Sequence, residues 1–151
     1  MRDQLQFYQG RLSIDRNKLD EELSEFPSAF YTVSDFYVDA DRRAKRLEQR
    51  LDRERASITS VLRSVAEEEG IKRTETQLKQ EVQIHPAIRK LMSKHAQAQS
   101  QAKRWETLKE AMVQKSFSLK GLVSLAMHEH FQSSHATPDD GMQKRKRKNR
   151  S

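Results

Sequence analysis

The sequence predicts an all-α fold: a long antiparallel helical hairpin with coiled-coil character, a short N-terminal helix and a disordered basic C-terminal tail. Three observations predict it. The 151 residues include four Gly and three Pro, too few for the turns of a many-stranded sheet. Hydrophobic residues make up 34% of the chain and charged residues an equal 34%, so long helices that finish burying their seams against partner chains are favoured over a thick single-chain core. Finally, Val33, Tyr37, Ala40, Ala44, Leu47, Leu51, Glu54, Ile58, Val61 and Val65 recur at alternating steps of four and three. A period of about 3.5 residues held over about four heptads is the mark of a supercoiled helix, and here Glu54 alone breaks its apolar character.

The length fits one helical domain, residues 1–133, followed by the tail at 134–151. A first short helix is expected at about 15–25, capped by Asp15, with Leu19 and Leu23 four apart and Phe26 three further on. Pro27 suits the first turn of a new helix, expected at 28–69 and ended by Gly70. Thr74 with Gln77 three residues later forms a capping-box pattern for a short helix at 74–84, stopped at His85-Pro86. A second long helix is expected at 87–131. Its seam reads Ile88, Leu91, His95, Ala98, Ala102 and Trp105, then changes phase to Leu108, Met112, Leu119, Leu122 and Ala126. The stretch SKHAQAQSQAK is poor in large residues, so any partner there must approach closely over alanines.

Several function classes fall away. With no Cys there are no disulfides, thiolate zinc sites or cysteine nucleophiles, which fits a reducing cytoplasm. No stretch approaches the roughly 18 apolar residues of a membrane span, and MRDQLQFYQG lacks the apolar core of a signal peptide, so a cytoplasmic protein without a membrane partner is expected. Among the histidines, His128 and His130 are two apart and point to different faces of a helix, whereas a helical metal pair needs a spacing of three or four. No glycine-rich phosphate loop and no nucleophile motif is present. Neither an enzyme nor a cofactor is expected.

The net charge of +7 is unevenly spread. Residues 15–41 carry eight acids against two bases, residues 42–63 eight bases against three acids, residues 85–120 eight bases against two acids, and residues 134–151 six bases against two acids. If the long helices fold back about the 70–86 connector, residues 42–63 lie beside residues 93–114, and the two basic segments merge into one band near the turn. Such a band is the footprint of a polyanion, foremost nucleic acid; intermixed Arg and Glu that merely solvate a coiled coil are the alternative. Arg42, Arg43, Arg46, Arg50, Arg53, Arg55 and Arg63 on the first long helix, with Lys103 and Arg104 on the second, are the expected contacts. No module for reading base edges is visible, which leaves salt-dependent, sequence-tolerant phosphate contact. Trp105 could stack on bases, but its seam position favours the core; Phe36, Tyr37 and Phe117 are similar cases.

The layout also resembles the phage recombination-mediator family of UvsY. IDRNKL at 14–19 resembles the start of the family's acidic N-terminal helix. RTETQLKQEVQIHPAIRKL at 73–91 is similar to the step preceding its last long helix, and RWETLKEAMVQKSFSLKGLVSL at 104–125 resembles its C-terminal pattern. The resemblance implies a helical protein that forms a homo-oligomeric ring of about six or seven subunits. It also implies binding to single-stranded DNA and help in loading a RecA-like recombinase onto DNA covered by single-strand DNA-binding protein. The family's Lys-x-Arg pair on the long helix has its closest spacing match in Arg53-Glu54-Arg55. Lys115 sits where relatives often have Arg, and the run Lys144 to Arg150 is not a general family feature. The competing expectation is a structural coiled-coil scaffold or adaptor whose partner is a protein; a chaperone of duplex DNA or of RNA is a third.

Overall fold

The computed structural model describes residues 2–135, so the expected basic tail, apart from its first two residues, lies outside the described residues. The elements are α1 (Arg2–Gly10), a 3-10 turn (Arg16–Lys18), α2 (Leu19–Glu68), α3 (Glu75–Ile84) and α4 (Pro86–His135), with no strand among the described residues. The long helices α2 and α4 form the expected hairpin. Each has 50 residues, about 75 Å at 1.5 Å per residue.

Local chemistry sets the boundaries near the turn. Gly70 adopts φ of 65°, and two hydrogen bonds, Ile71 N–H to Ala66 O and Gly70 N–H to Glu67 O, close the Schellman motif that ends α2. Thr74 and Gln77 make the expected capping box for α3. The Ala87 N–H donates to His85 Nδ1 at the start of α4, where Pro86 needs no donor of its own.

Three expectations require correction. The first short helix and its successor are one: Asp15 caps only the 3-10 turn, and α2 then runs through Pro27 without interruption. Pro27 removes one helical hydrogen bond, but Phe26, Ala29, Phe30 and Val33 on either side of it all pack into one cluster, and breaking the helix would forfeit that burial. Pro27→Ala is therefore expected to stabilise the protein by about 2 kcal/mol, the roughly 3 kcal/mol interior penalty less about 1 for the freer unfolded chain. Urea denaturation measures this, and a lower midpoint would show that the proline fits its site.

The second correction is α1, where the sequence indicated no element. A helix of nine residues is marginal alone and forms here by packing. Leu5, Tyr8 and Leu12 lie on the main cluster with Val33, Phe36, Trp105, Leu108 and Met112, and Tyr8 meets Phe36 edge-on at 6.3 Å.

The third is the register of the hairpin. Phe36 packs on Trp105 with ring centroids 4.8 Å apart, Lys109 Nζ stands 5.1 Å from the centre of the Tyr37 ring, and Leu47 faces Ala98. Residues 42–63 thus lie beside a stretch of α4 about ten residues nearer the turn than expected, roughly three helical turns. The cause is α3, which packs back along α2 and does not act as a spacer. Val82 joins Leu51, Ile88 and Leu91, with Ile58, Leu62 and Met92 against them, so the chain folds back close to Gly70. This packing also shifts the end of the α2 seam: Val61 is 59% exposed, and Leu62 and Ala66 are buried further in its place.

The remaining seam matches the expected pattern. Val33, Ala40, Ala44 and Leu51 of α2 and Ile88, Leu91, Ala102, Trp105, Leu108, Met112 and Leu119 of α4 are buried. Toward its C-terminus α4 outruns α2. Leu125, Met127 and Phe131 are exposed there, and Ala126, expected on the seam, is exposed with them.

Candidate nucleic-acid interface

Near the turn, the spacing of the bases on α2 divides them between the two sides of the hairpin. Arg42, Arg43, Arg46, Arg50 and Arg53 are separated by steps of three, four or one and occupy one flank of the helix. Arg55 and Arg63 fall on the other flank with Lys45, Glu48 and Asp52.

On the first flank, a groove of about 500 Å³ runs between α2 and α4. Its charged residues, Arg43 and Arg46 from α2 and Lys94 from α4, are all cationic; Ala40, Leu47 and Ala98 give it an apolar floor, and Gln97 and Gln101 complete the α4 wall. Arg46, Arg50 and Lys94 are exposed and, among the described residues, form no ion pair. Arg42 reaches Asp39 only at 3.9 Å, and Arg53 Nε donates to the Gln49 carbonyl. Lys90, one turn before Lys94, extends the basic stripe on α4.

The opposite flank has a groove of similar size but contrary electrostatics, lined by Asp41, Glu48 and Glu106 as well as Lys45 and Lys103. Lys45 pairs with Asp41 at 2.7 Å and Lys103 with Glu106 at 2.6 Å. In each case the hydrogen bond to the carboxylate raises the lysine above its ordinary pKa, and the neighbouring negative charge adds to the effect. Arg55 lies 3.4 Å from Asp52 and Arg63 2.6 Å from Glu75. This side neutralises itself.

Of the nine contacts expected from sequence, Arg42, Arg43, Arg46, Arg50 and Arg53 share the open flank, whereas Arg55, Arg63 and Lys103 stand on the self-neutralised one. Arg104 and Lys103 also border a groove of about 780 Å³ between α4 and α1, lined by Leu5 and Leu108. Lys94 was missed as a partner of Arg43 and Arg46 because the expected register placed residues beyond it opposite them; the αL glycine at 70, read as the fold-back point, would have found it. Trp105 is fully buried, with its indole N–H unpaired, and is therefore core; Phe36 and Tyr37 pack beside it. Phe117 is exposed beneath Lys120, whose Nζ is 5.8 Å from the ring centre.

A second feature escaped the sequence reading. Lys115, 7% exposed, occupies the seam step between Met112 and Leu119. Its ammonium donates to the Arg11 carbonyl at 2.6 Å and the Ser13 carbonyl at 3.1 Å and forms an ion pair with Glu22, tying the α1–α2 connector to α4. The seven-residue gap between Met112 and Leu119 was the available signal.

Among the described residues no group of three or more His, Asp or Glu is placed to hold a metal ion, and no helix is long and apolar enough to cross a membrane. No protein-family model matches the chain, nor does any curated protein or solved structure.

Proposed function

We propose that the protein is a non-enzymatic single-stranded DNA-binding recombination mediator. In this reading it acts as a homo-oligomer that helps load a RecA-like recombinase onto DNA covered by single-strand DNA-binding protein, in phage recombination, repair and replication. One observation carries the DNA-binding part: Arg43 and Arg46 of α2 and Lys94 of α4 converge on one groove near the turn that has no acid in its lining. A mixed-charge surface that merely solvates the hairpin has no reason to line one groove with cations alone; a surface that holds phosphates does. The mediator role and the partner proteins rest on the sequence resemblance. Several protomers would present their grooves together, hold a strand in a bent or wrapped path, weaken its hold on the covering protein and offer it to the recombinase.

Fluorescence anisotropy of a labelled single strand across a salt titration tests the reading. Three phosphate contacts per protomer, from Arg43, Arg46 and Lys94, contribute about −2 to the slope of log affinity against log salt. Absence of binding at low salt, or a flat salt response, would remove the proposal. The exposed Leu125, Met127 and Phe131 favour a protein contact at the end of α4 and keep the scaffold reading as the alternative. Under that reading Arg50→Glu, Arg53→Glu and Arg55→Glu leave function intact, while a polar substitution at the half-buried Leu47 abolishes assembly and one at Leu51, core within the single chain, unfolds the hairpin as well.

A further inference from the structure

We propose that the groove between Arg43, Arg46 and Lys94 seats an unpaired nucleobase on Ala40, Leu47 and Ala98, in addition to holding phosphates at its rim. This rests on the nucleic-acid reading above and adds a binding mode to it.

Where the groove opens, the facing helices carry small seam residues, Ala40 and Ala44 on α2 and Ala98 and Ala102 on α4, and Leu47 is the one large aliphatic side chain in the lining. The surface is consequently recessed and apolar at its centre. Phosphate contact requires neither property, since an ammonium or guanidinium on a convex helix meets a phosphate equally well. A volume of about 500 Å³ lies within the roughly 300–1,000 Å³ span of small-ligand sites and accommodates one base with part of its sugar.

The walls narrow the choice of occupant. Gln97 and Gln101 stand one turn apart on α4, and their amides offer both donors and acceptors, as the edge of a base requires. Arg43, Arg46 and Lys94 surround them with positive charge. An occupant with an apolar face, a hydrogen-bonding edge and anionic flanks is a nucleotide within a chain. The groove on the other flank provides a natural contrast: it has a comparable recess over Ala44 and Ala102, but its lysines, Lys45 and Lys103, are already paired with Asp41 and Glu106, and Glu48 adds a further negative charge.

Preference for single strands follows. A duplex keeps its bases paired and stacked, and inserting one demands unstacking and flipping, whereas a single strand presents unpaired bases at little cost. The groove thus supplies a physical source of strand preference that the phosphate contacts lack.

The test uses the full chain and two labelled strands of equal length and phosphate number, oligo(dT) and its abasic counterpart, in anisotropy titrations at several salt concentrations. The expected result is at least about tenfold weaker binding of the abasic strand with the same salt slope. Ala98→Leu, its helicity checked by circular dichroism, is expected to bring oligo(dT) down to the abasic affinity and leave abasic binding unchanged. Gln97→Ala combined with Gln101→Ala adds no bulk to the groove wall and is expected to cut the dT-to-abasic ratio several-fold even where the leucine variant misfolds. Equal binding of the two strands by the wild-type protein overturns the nucleobase site and leaves phosphate binding standing; failure to bind either strand overturns both. An Ala98→Leu variant that keeps the wild-type ratio and changes its mass in light scattering assigns the groove to a second copy of the chain and likewise overturns the site.

Discussion

Lys115→Met is expected to destabilise the protein by about 3 kcal/mol, the largest effect of any single polar change in the hairpin. Methionine preserves most of the length and apolar bulk of the lysine stem, so the loss falls on the ammonium. That group serves three acceptors: the Arg11 and Ser13 carbonyls and the Glu22 carboxylate. Removing one member of a buried ion pair costs roughly 3–5 kcal/mol, because the other charge is left uncompensated. The lower end applies here, since the Glu22 side chain keeps 21% of its surface in water. The midpoint of urea denaturation at neutral pH reads the effect; a change under about 0.5 kcal/mol would mean that the ammonium merely occupies space.

The same clamp sets an acid response. The hydrogen bond from Lys115 holds the Glu22 carboxyl below its ordinary value; burial opposes this, and the Asp15 N–H adds to it. Because the folded value lies below the unfolded one, the stabilisation is complete above the ordinary carboxylate range and is lost as the pH falls through the lowered value. Wild-type stability should therefore decline through that acid window more steeply than that of Lys115→Met, which has already lost the pair.

The legible parts of this fold are those whose cause is local. Gly70 ends α2 because its backbone needs a positive φ, and Thr74 with Gln77 starts α3 through reciprocal hydrogen bonds; both signals lie within a few residues. The seam from Val33 to Ile58 is legible because burial repeats with the helical period. What sequence left hidden depends on contacts far along the chain. Pro27 reads as a boundary until Phe26, Ala29, Phe30 and Val33 are seen to share one buried face. α1 has no cap or length to announce it and exists through Leu5 and Tyr8 lying on residues about a hundred positions away. Lys115 reads as one more surface base unless the connector carbonyls it serves are known.

The candidate site follows the same division. The basic character of residues 42–53 was plain, and so was the flank they share, because i, i+3 and i+4 spacing fixes both. Their partners on α4 depend on the register, which the packing of α3 sets through Val82 on Leu51, and no local pattern encodes it.

The sharpest expectation compares two double substitutions of identical formal charge. Arg43→Glu with Arg46→Glu, and Arg55→Glu with Arg63→Glu, each change the chain by four units in the same helix, so net charge and long-range steering alter alike. They differ in which flank they strike. The first pair places two carboxylates beside Lys94 in the open groove; the expected outcome is about a hundredfold or greater loss of single-strand affinity at low salt, with the slope flattened by about 1.4 as two phosphate contacts vanish. The second pair breaks the contacts of Arg55 with Asp52 and Arg63 with Glu75, which are surface pairs worth at most about 1 kcal/mol of stability each, and the expected loss of affinity is a few-fold. Equal losses from the two pairs would mean that binding follows net charge alone, and the one-sided interface would then be wrong whatever the absolute affinity. The ratio between the two variants, measured in one buffer on proteins of matched helicity, reports where the polyanion lies.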